Sequence, residues 1–523
     1  MDIDIVSKYI DGKVDPKIVN NIVYYEVRNN DIVDVVKNLL AKPEISLKLI
    51  TATDERNENK CFKVWYVFGV KTENVFVVPY IKLSNTTEFN SITSITQVAC
   101  NYERKINTFF GLKPIGNPDT RPILLHENWP QNIYPLRKDF IWNNRPEFVK
   151  GEYKFREIFG EGIYEIPVGP IHAGIIEPGH FRFSVAGEEI LNLEAKLGYN
   201  HKGIEKLFET LSFDNKLKLS EKVSGDSSFS HSLAYCQALE QLANIKVTQR
   251  VQYLRVVFAE LERIANHFGD IGAIMLDTGF NFGGANGSRL REMILKINED
   301  LTGSRFLRGV NTIGGVLKDI SNKAARELIK RLSITEKDFY EVIKIANEDS
   351  TLHNRLNNTG ELLSEIAVDY GAVGVSARAL GIMNDVRYDF NYESYKELGF
   401  APASNGAKGD VHARFDIRVK EVYSSITLIK SALEKLPKGL INHKDKKVNL
   451  NMNSFGISMV EGWRGEIIYF VMTNDKGEIN RVALRDPSFI NWNLVGYSGL
   501  NNIVPDFPLI NKSYNLSYSG NDL

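Results

Sequence analysis

The chain has 523 residues, 43% of them hydrophobic and 25% charged, with 64 Lys+Arg against 65 Asp+Glu and three cysteines. A formal charge of −1 excludes a general attraction to nucleic acid or anionic lipid. Cys61, Cys100 and Cys236 form no Cys-x-x-Cys pair, so a zinc ribbon, a ferredoxin-type cluster or a dithiol site made by this chain alone is excluded, and three thiols suit a reducing compartment.

The N-terminus, Met1–Lys8, lacks a basic region followed by an apolar stretch, so no signal peptide is read. Asn30 or Asp31 is positioned to cap a short helix carrying Ile32, Val35, Val36, Leu39 and Leu40, which Pro43 ends. Strands follow at Ile45–Thr51, Cys61–Val70 and Val75–Leu83, rich in Val, Ile, Phe and Tyr. A helix from about Ser91 to Phe110 stops at Gly111, and Lys113–Pro146, with six prolines, reads as an ordered but irregular arm. A β-rich opening at Ile163–Val168, Phe181–Val185 and Ile190–Leu193 then gives way to long helices. Two run over Thr248–Phe268 and Phe415–Leu436, each apolar along one stripe as in a bundle. Strands return near Phe455–Val460 and Glu466–Met472. The pattern is α+β: a small domain over 1–150 fused to a large, mostly helical domain over 160–523. The longest apolar runs, such as Val75–Ile81, are strand-length, whereas spanning a bilayer takes about 20 apolar residues. The chain is therefore expected to be cytoplasmic.

No G-x-G-x-x-G follows a strand, and no P-loop, H-E-x-x-H or G-x-S-x-G occurs. The Gly-rich patch Gly279–Gly287 has the wrong spacing for a phosphate cradle and reads as a loop between helices. Five of the nine histidines, His172, His180, His201, His231 and His267, fall within Pro170–Gly269. His172 and His180 sit in Gly169-Pro-Ile-His-Ala-Gly174 and Glu177-Pro-Gly-His180, where Gly and Pro imply a tight turn at a strand junction. A loop histidine is the better functional candidate, because loop polar groups are less needed for packing. His267, on a helix with Glu260 and Arg263, reads as the structural partner of a carboxylate.

Several segments carry a resemblance. In the N-terminal part they are Glu103-Arg-Lys-Ile-Asn-Thr-Phe-Phe-Gly-Leu, Asn117-Pro-Asp-Thr-Arg-Pro-Ile-Leu-Leu125 and Pro135-Leu-Arg-Lys-Asp139. Further on come Gly198-Tyr-Asn-His-Lys-Gly-Ile-Glu-Lys-Leu207, Phe258-Ala-Glu-Leu-Glu-Arg-Ile-Ala-Asn-His267, Leu276-Asp-Thr-Gly279, Ser288-Arg-Leu-Arg-Glu292, Gly314-Gly315 and Gly409-Asp410. In this order they resemble a fusion of the C-type and D-type subunits of respiratory complex I and of the related membrane-bound nickel–iron hydrogenases. The fusion is most similar to the formate-hydrogenlyase type, the hydrogenase-4 component G group. Lys105 and Asn107 stand where that family usually has acidic residues.

The resemblance implies a nickel–iron large-subunit-like fold for 160–523 and an assembly role for 1–150. It also shows a departure. A hydrogenase holds one Cys-x-x-Cys pair just before a helix opening with His-Ser, and here that place reads Val223-Ser-Gly-Asp-Ser-Ser-Phe-Ser-His-Ser232. Ser224 and Ser227 thus replace thiolates, and the tail Asn511–Leu523, where the second pair belongs, has no cysteine. Nickel and low-spin iron need soft bridging thiolates, so no metal is expected in this chain. In complex I the corresponding cavity receives a quinone, held by a hairpin histidine and a tyrosine. The histidine here is His172 or His180, the supporting aspartate matches Asp277, and the tyrosine position aligns with Gly225. His201 and His231 are expected to line the pocket. The resemblance implies partners: a complex I B-like subunit bearing an iron–sulfur cluster, a ferredoxin-like electron-transfer subunit, and antiporter-like and H-like membrane subunits holding the chain at the inner face of the cell membrane. NADH enters only through such an assembly as a whole, and no cofactor is expected to be held by this chain. The alternative is a non-catalytic, degenerate large subunit acting as scaffold or coupling element.

Overall fold

A computed structural model describes residues 8–9, 15–71, 73–173, 176–404, 406, 408–442 and 448–523; the N-terminal segment read for a leader, apart from Lys8, lies outside them. The fold is α+β. In the first part, β1 (Lys17–Val19), β2 (Ile22–Glu26), β3 (Ile45–Glu55), β4 (Cys61–Val70) and β5 (Val75–Leu83) form one sheet in the order β1-β2-β5-β4-β3. Only the β2–β5 pairing is parallel. Helix α1 (Ile32–Leu40) buries Ile32, Val36 and Leu39, the stripe read from the sequence. Asp31 does not cap it through its side chain, which pairs instead with Arg28.

The next helix, α2 (Ala99–Phe110), ends at a left-handed Gly111 as expected but begins eight residues later than Ser91. The reason is local. Ser91 and Thr93 turn their hydroxyls to the buried carboxylate of Glu103, which also accepts from the Ile92 N–H at 2.8 Å and Asn117 Nδ2 at 2.8 Å. Short polar side chains that bond this way compete with helix formation. From Asn117 to the next strand the arm has no helix or strand, and it is pinned by charges: Lys196 reaches Glu127 and Arg121 reaches Glu194.

In the second part, β6 (Ile163–Val168), β7 (His180–Ala186) and β8 (Glu189–Lys196) form an antiparallel meander. Helices α3 (Ser228–Leu242), α4 (Gln249–Asp277) and α5 (Asn281–Thr302) follow. Thr248 caps α4 by accepting from the Val251 N–H at 3.3 Å. The helix runs nine residues past Phe268 because Ile271, Ile274 and Met275 continue its buried stripe. The Gly279–Gly287 patch is not a loop: it opens α5, and a Cβ on Gly287 would lie 2.4 Å from the Gly272 Cα of α4. These glycines let two helices cross at backbone contact.

Helix α6 (Val411–Glu434) packs along α4 and is capped by Asp410, which accepts from the Ala413 N–H. An antiparallel sheet of β9 (Phe455–Gly462), β10 (Gly465–Thr473) and β11 (Ile479–Arg485) follows, then α7 (Pro487–Gly499) and the short α8 (Tyr518–Asp522). Strand β11 escaped the sequence reading because Arg481 and Arg485 sit in it; both are buried, bonded to Glu205 and Glu466.

The two parts differ in chain path but share a core. Trp65 and its cross-strand partner Tyr80 stack 4.6 Å apart, and Trp65 meets Phe455 at 5.3 Å and Phe470 at 5.8 Å. The N-terminal sheet thus packs on the C-terminal one. Among the described residues no helix is long and apolar enough to cross a membrane.

Candidate functional site

The β6–β7 hairpin, the turn before α3 and the C-terminal tail converge. His172 sits on the hairpin loop with Nδ1 3.2 Å from the Pro170 carbonyl, its ring edge-on to Phe181 at 5.5 Å. Its Nε2 lies 3.4 Å from the hydroxyl of Tyr518 in α8. A carbonyl only accepts, so Nδ1 carries a proton and Nε2 is the nitrogen that faces the phenol. His180 is different. It starts β7 at 9% exposure, with Nδ1 3.2 Å from the Gly169 carbonyl and Nε2 accepting from Arg182 at 3.5 Å. Burial lowers its pKa. Both its nitrogens serve the hairpin base.

Ser224 Oγ lies 2.9 Å from Ser517 Oγ and 2.9 Å from Asp226 Oδ1. Arg464 clamps Asp226 through two bonds of 2.7 Å and stacks on Trp463. Burial works to raise the Asp226 carboxyl, but Arg464 more than offsets it and holds the group below its usual range. Ser227 reaches the same carboxylate at 3.4 Å. The tail segment Ser517-Tyr-Ser-Gly520 lies against Ser224 through its first serine. Gly520 presses on Asp486: a Cβ there would lie 2.5 Å from Asp486 Cγ.

The turn at Ser224 and the C-terminal tail are therefore together in space, and they meet through hydroxyls. A nickel–iron centre does not fit this donor set. Among the described residues no three His, Cys, Asp or Glu side chains are grouped to hold a metal ion.

His231 is fully buried below the serines, with Nε2 3.0 Å from Asp486 and Nδ1 3.1 Å from the Tyr469 hydroxyl. It braces the strand-to-helix turn at Asp486. His201 holds the tail, its Nδ1 2.6 Å from the Asp522 carbonyl, and lines a small cavity with Phe109, Leu136 and Leu523. Asp277 ends α4 at the surface, and among the described residues no hydrogen bond joins it to His172 or His180. At Gly225 a Cβ would lie 3.3 Å from Nη2 of the exposed Arg308 side chain. His267 does pair with a carboxylate, but from another helix: Nε2 is 2.7 Å from Glu421.

Residues 277–456 match the family model of the respiratory-chain NADH dehydrogenase 49 Kd subunit, and residues 25–146 match that of the 30 Kd subunit. The chain is a fused subunit of the complex I type, of the kind found in oxidoreductase complexes. It belongs to the family that includes formate hydrogenlyase subunit 5 of Escherichia coli, to which it is 32% identical over 95% of this chain and 88% of that protein. It is 31% identical to hydrogenase-4 component G of the same organism, over 95% of this chain and 87% of the relative. The NADH-quinone oxidoreductase C/D protein of Phocaeicola vulgatus is 32% identical over 77% of this chain and 81% of its own length.

Proposed function

We propose that this chain forms the acceptor site of a membrane-associated, complex I-like oxidoreductase, where electrons from a partner's iron–sulfur cluster reach a quinone. The observation that carries this reading is His172. It is the hairpin histidine whose Nε2 is turned to a phenol rather than bound to the hairpin backbone, while beside the tail stand serines and the Asp226–Arg464 pair. Similarity to a component of a quinone oxidoreductase supports the acceptor class. The cluster-bearing B-like subunit, the ferredoxin-like subunit and the antiporter-like and H-like membrane subunits belong to the same proposal, as does a place on the inner face of the cell membrane.

His172 would hold an acceptor oxygen and release a proton to it on reduction, a role whose loss costs roughly 10²-fold or more in rate. The test is quinone-analogue reduction by the purified intact assembly. His172→Ala is expected to lower turnover about 10²-fold with assembly preserved, whereas His180→Ala acts through hairpin stability. Unchanged turnover in both variants overturns the assignment.

A second reading, a non-catalytic scaffold, is favoured by Gly225 in place of the family's tyrosine and by serines in place of cysteines. It predicts that site variants leave electron flow intact while substitutions where this chain meets its partners abolish assembly.

A further inference from the structure

We infer that Tyr518, carried by the tail segment that takes the place of a second thiolate pair, is the phenol that shares an acceptor oxygen with His172. The inference rests on the reading of His172 given above and adds the residue that completes the site.

The tail is built onto the hairpin residue by residue. Ser517 bonds Ser224 across the old thiolate position. Tyr518 follows, with its hydroxyl 3.4 Å from His172 Nε2 and its ring 4.8 Å from that of Trp492. Ser519 then binds the carboxylate of Glu177, on the same hairpin loop, through its hydroxyl and through its N–H at 3.0 Å. Gly179, also on that loop, is a glycine for a reason: a Cβ there would lie 2.5 Å from Tyr518 Cε1. Asp522 finally accepts from the Gly198 and Asn200 N–H groups, at 2.9 and 2.8 Å. A side chain held on so many sides has little freedom to leave.

Position matters as much as rigidity. Gly225, aligned with the family's tyrosine, follows Ser224; Tyr518 follows Ser517. The Ser224–Ser517 contact therefore sets the two positions on either side of one hydrogen bond. The first, a glycine, carries no side chain, and the phenol enters from the second.

The chemistry follows from the spacing. Two donors 3.4 Å apart are too far for a strong bond to each other but can both lie about 2.8 Å from a single oxygen placed between them. With His172 protonated, Nε2–H and the phenol O–H converge on that oxygen as it gains charge. Two electrons arrive from the partner's cluster, one at a time. The imidazolium then gives its Nε2 proton to this oxygen and becomes neutral, the acceptor's second oxygen takes its proton from solvent, and solvent protonates the imidazole again, so that two electrons and two protons turn the quinone into the quinol. Burial pushes the phenol up to about 12, with Glu177 and Asp522 adding to the rise and Asn511 opposing it. Tyr518 thus keeps its proton and stabilises charge by hydrogen bonding alone.

The experiment is quinone-analogue reduction by the intact assembly carrying Tyr518→Phe, which keeps the ring against Gly179 and Trp492. Loss of one such donor is expected to lower kcat roughly 10²-fold with assembly preserved. Full activity in Tyr518→Phe beside a dead His172→Ala overturns this inference alone; full activity in both overturns the site reading as well. Should Tyr518→Phe fail to assemble, a fluorinated tyrosine at 518 keeps the O–H but makes it more acidic. It is expected to introduce an alkaline loss of activity that the native phenol does not show, and an unchanged alkaline profile overturns the inference.

Discussion

At Ser224 an oxygen replaces a sulfur, and the consequence is more than the loss of a ligand. A hydroxyl is smaller than a thiolate and forms directional hydrogen bonds, so Ser224 and Ser517 close on each other and recruit Asp226 and Arg464 into the space. Gly520 completes the closure against Asp486. Gly520→Ala would place a Cβ 2.5 Å from Asp486 Cγ, and overpacking of this kind costs typically 1–3 kcal/mol. Ser224→Ala, which only removes a hydroxyl, should cost about 1 kcal/mol. Thermal unfolding of the two variants in the intact assembly checks the order; equal melting temperatures would mean that the tail is not packed on Asp486 as described. The loss of thiolates at Ser224 and Ser227 was legible in the sequence, because a missing residue type at a known spacing needs no structure. Ser517 was not, since its importance comes from a contact 293 residues away in sequence. The choice between His172 and His180 was also closed to sequence reading: both flank glycines, and only geometry shows that Arg182 and the Gly169 carbonyl consume the ring of His180.

At the scale of elements, helical periodicity revealed α4 and α6 but not what holds them face to face. Their seam is ionic. Glu260, Asp385, Glu421 and Glu461 meet Arg263, Arg378 and Arg387, all at most 2% exposed. Four carboxylates against three guanidiniums leave one negative charge over, and burial lowers the pKa of His267, so this imidazole does not balance it. The surplus falls on Glu461: burial first, then the neighbouring Asp385, pushes its carboxyl up to about 7 against the pull of the arginines. The folded state therefore keeps a proton that the unfolded chain, with an ordinary value of 4.5, releases. The unfolded state binds fewer protons between those values, so this contribution to stability is complete below about pH 4.5 and is lost as pH rises toward 7. The slope approaches about 1.4 kcal/mol per pH unit. Glu461→Gln removes the titrating group, and denaturant unfolding across this range should show a flatter decline than in the unsubstituted chain. An identical slope would place the surplus proton elsewhere in the network. Most of these pairings could not be read from spacing, because they join residues far apart in the chain; Glu260 with Arg263, three residues apart on α4, and Asp385 with Arg387, two apart, are local.

At the scale of the molecule, the chain leaves the N-terminal sheet at Leu83, and the composition shift near residues 145–160 falls in the arm between two parts that share one core. Tyr24, Trp65 and Tyr80 on the N-terminal sheet are in contact with or continuous with Phe455 and Phe470 on the C-terminal one. Charged groups cross the same seam while buried: Lys48 reaches Glu466 at 2.5 Å, Lys105 reaches Glu205 at 3.1 Å, and Arg481 lies against Thr51. Separating the halves would expose the aromatic face and strand these charges at once. Breaking a buried pair by removing one partner costs about 3–5 kcal/mol, comparable to much of the 5–15 kcal/mol that holds an ordinary domain folded. A fragment of residues 160–523 produced alone is therefore expected to aggregate or lack a cooperative unfolding transition, and a fragment of residues 1–150 supplied in the same cells is expected to restore a soluble pair. Size-exclusion chromatography and thermal melts of the fragments, singly and together, make the comparison. A monodisperse, cooperatively melting 160–523 fragment would show that the large part carries its own complete core. The same seam reaches the site, because His201, which holds the Asp522 carbonyl, packs its ring 5.3 Å from Phe109 of α2. Removing the N-terminal part should thus loosen the tail that presents Tyr518, and in fragments that reassociate, acceptor reduction should return together with the restored core.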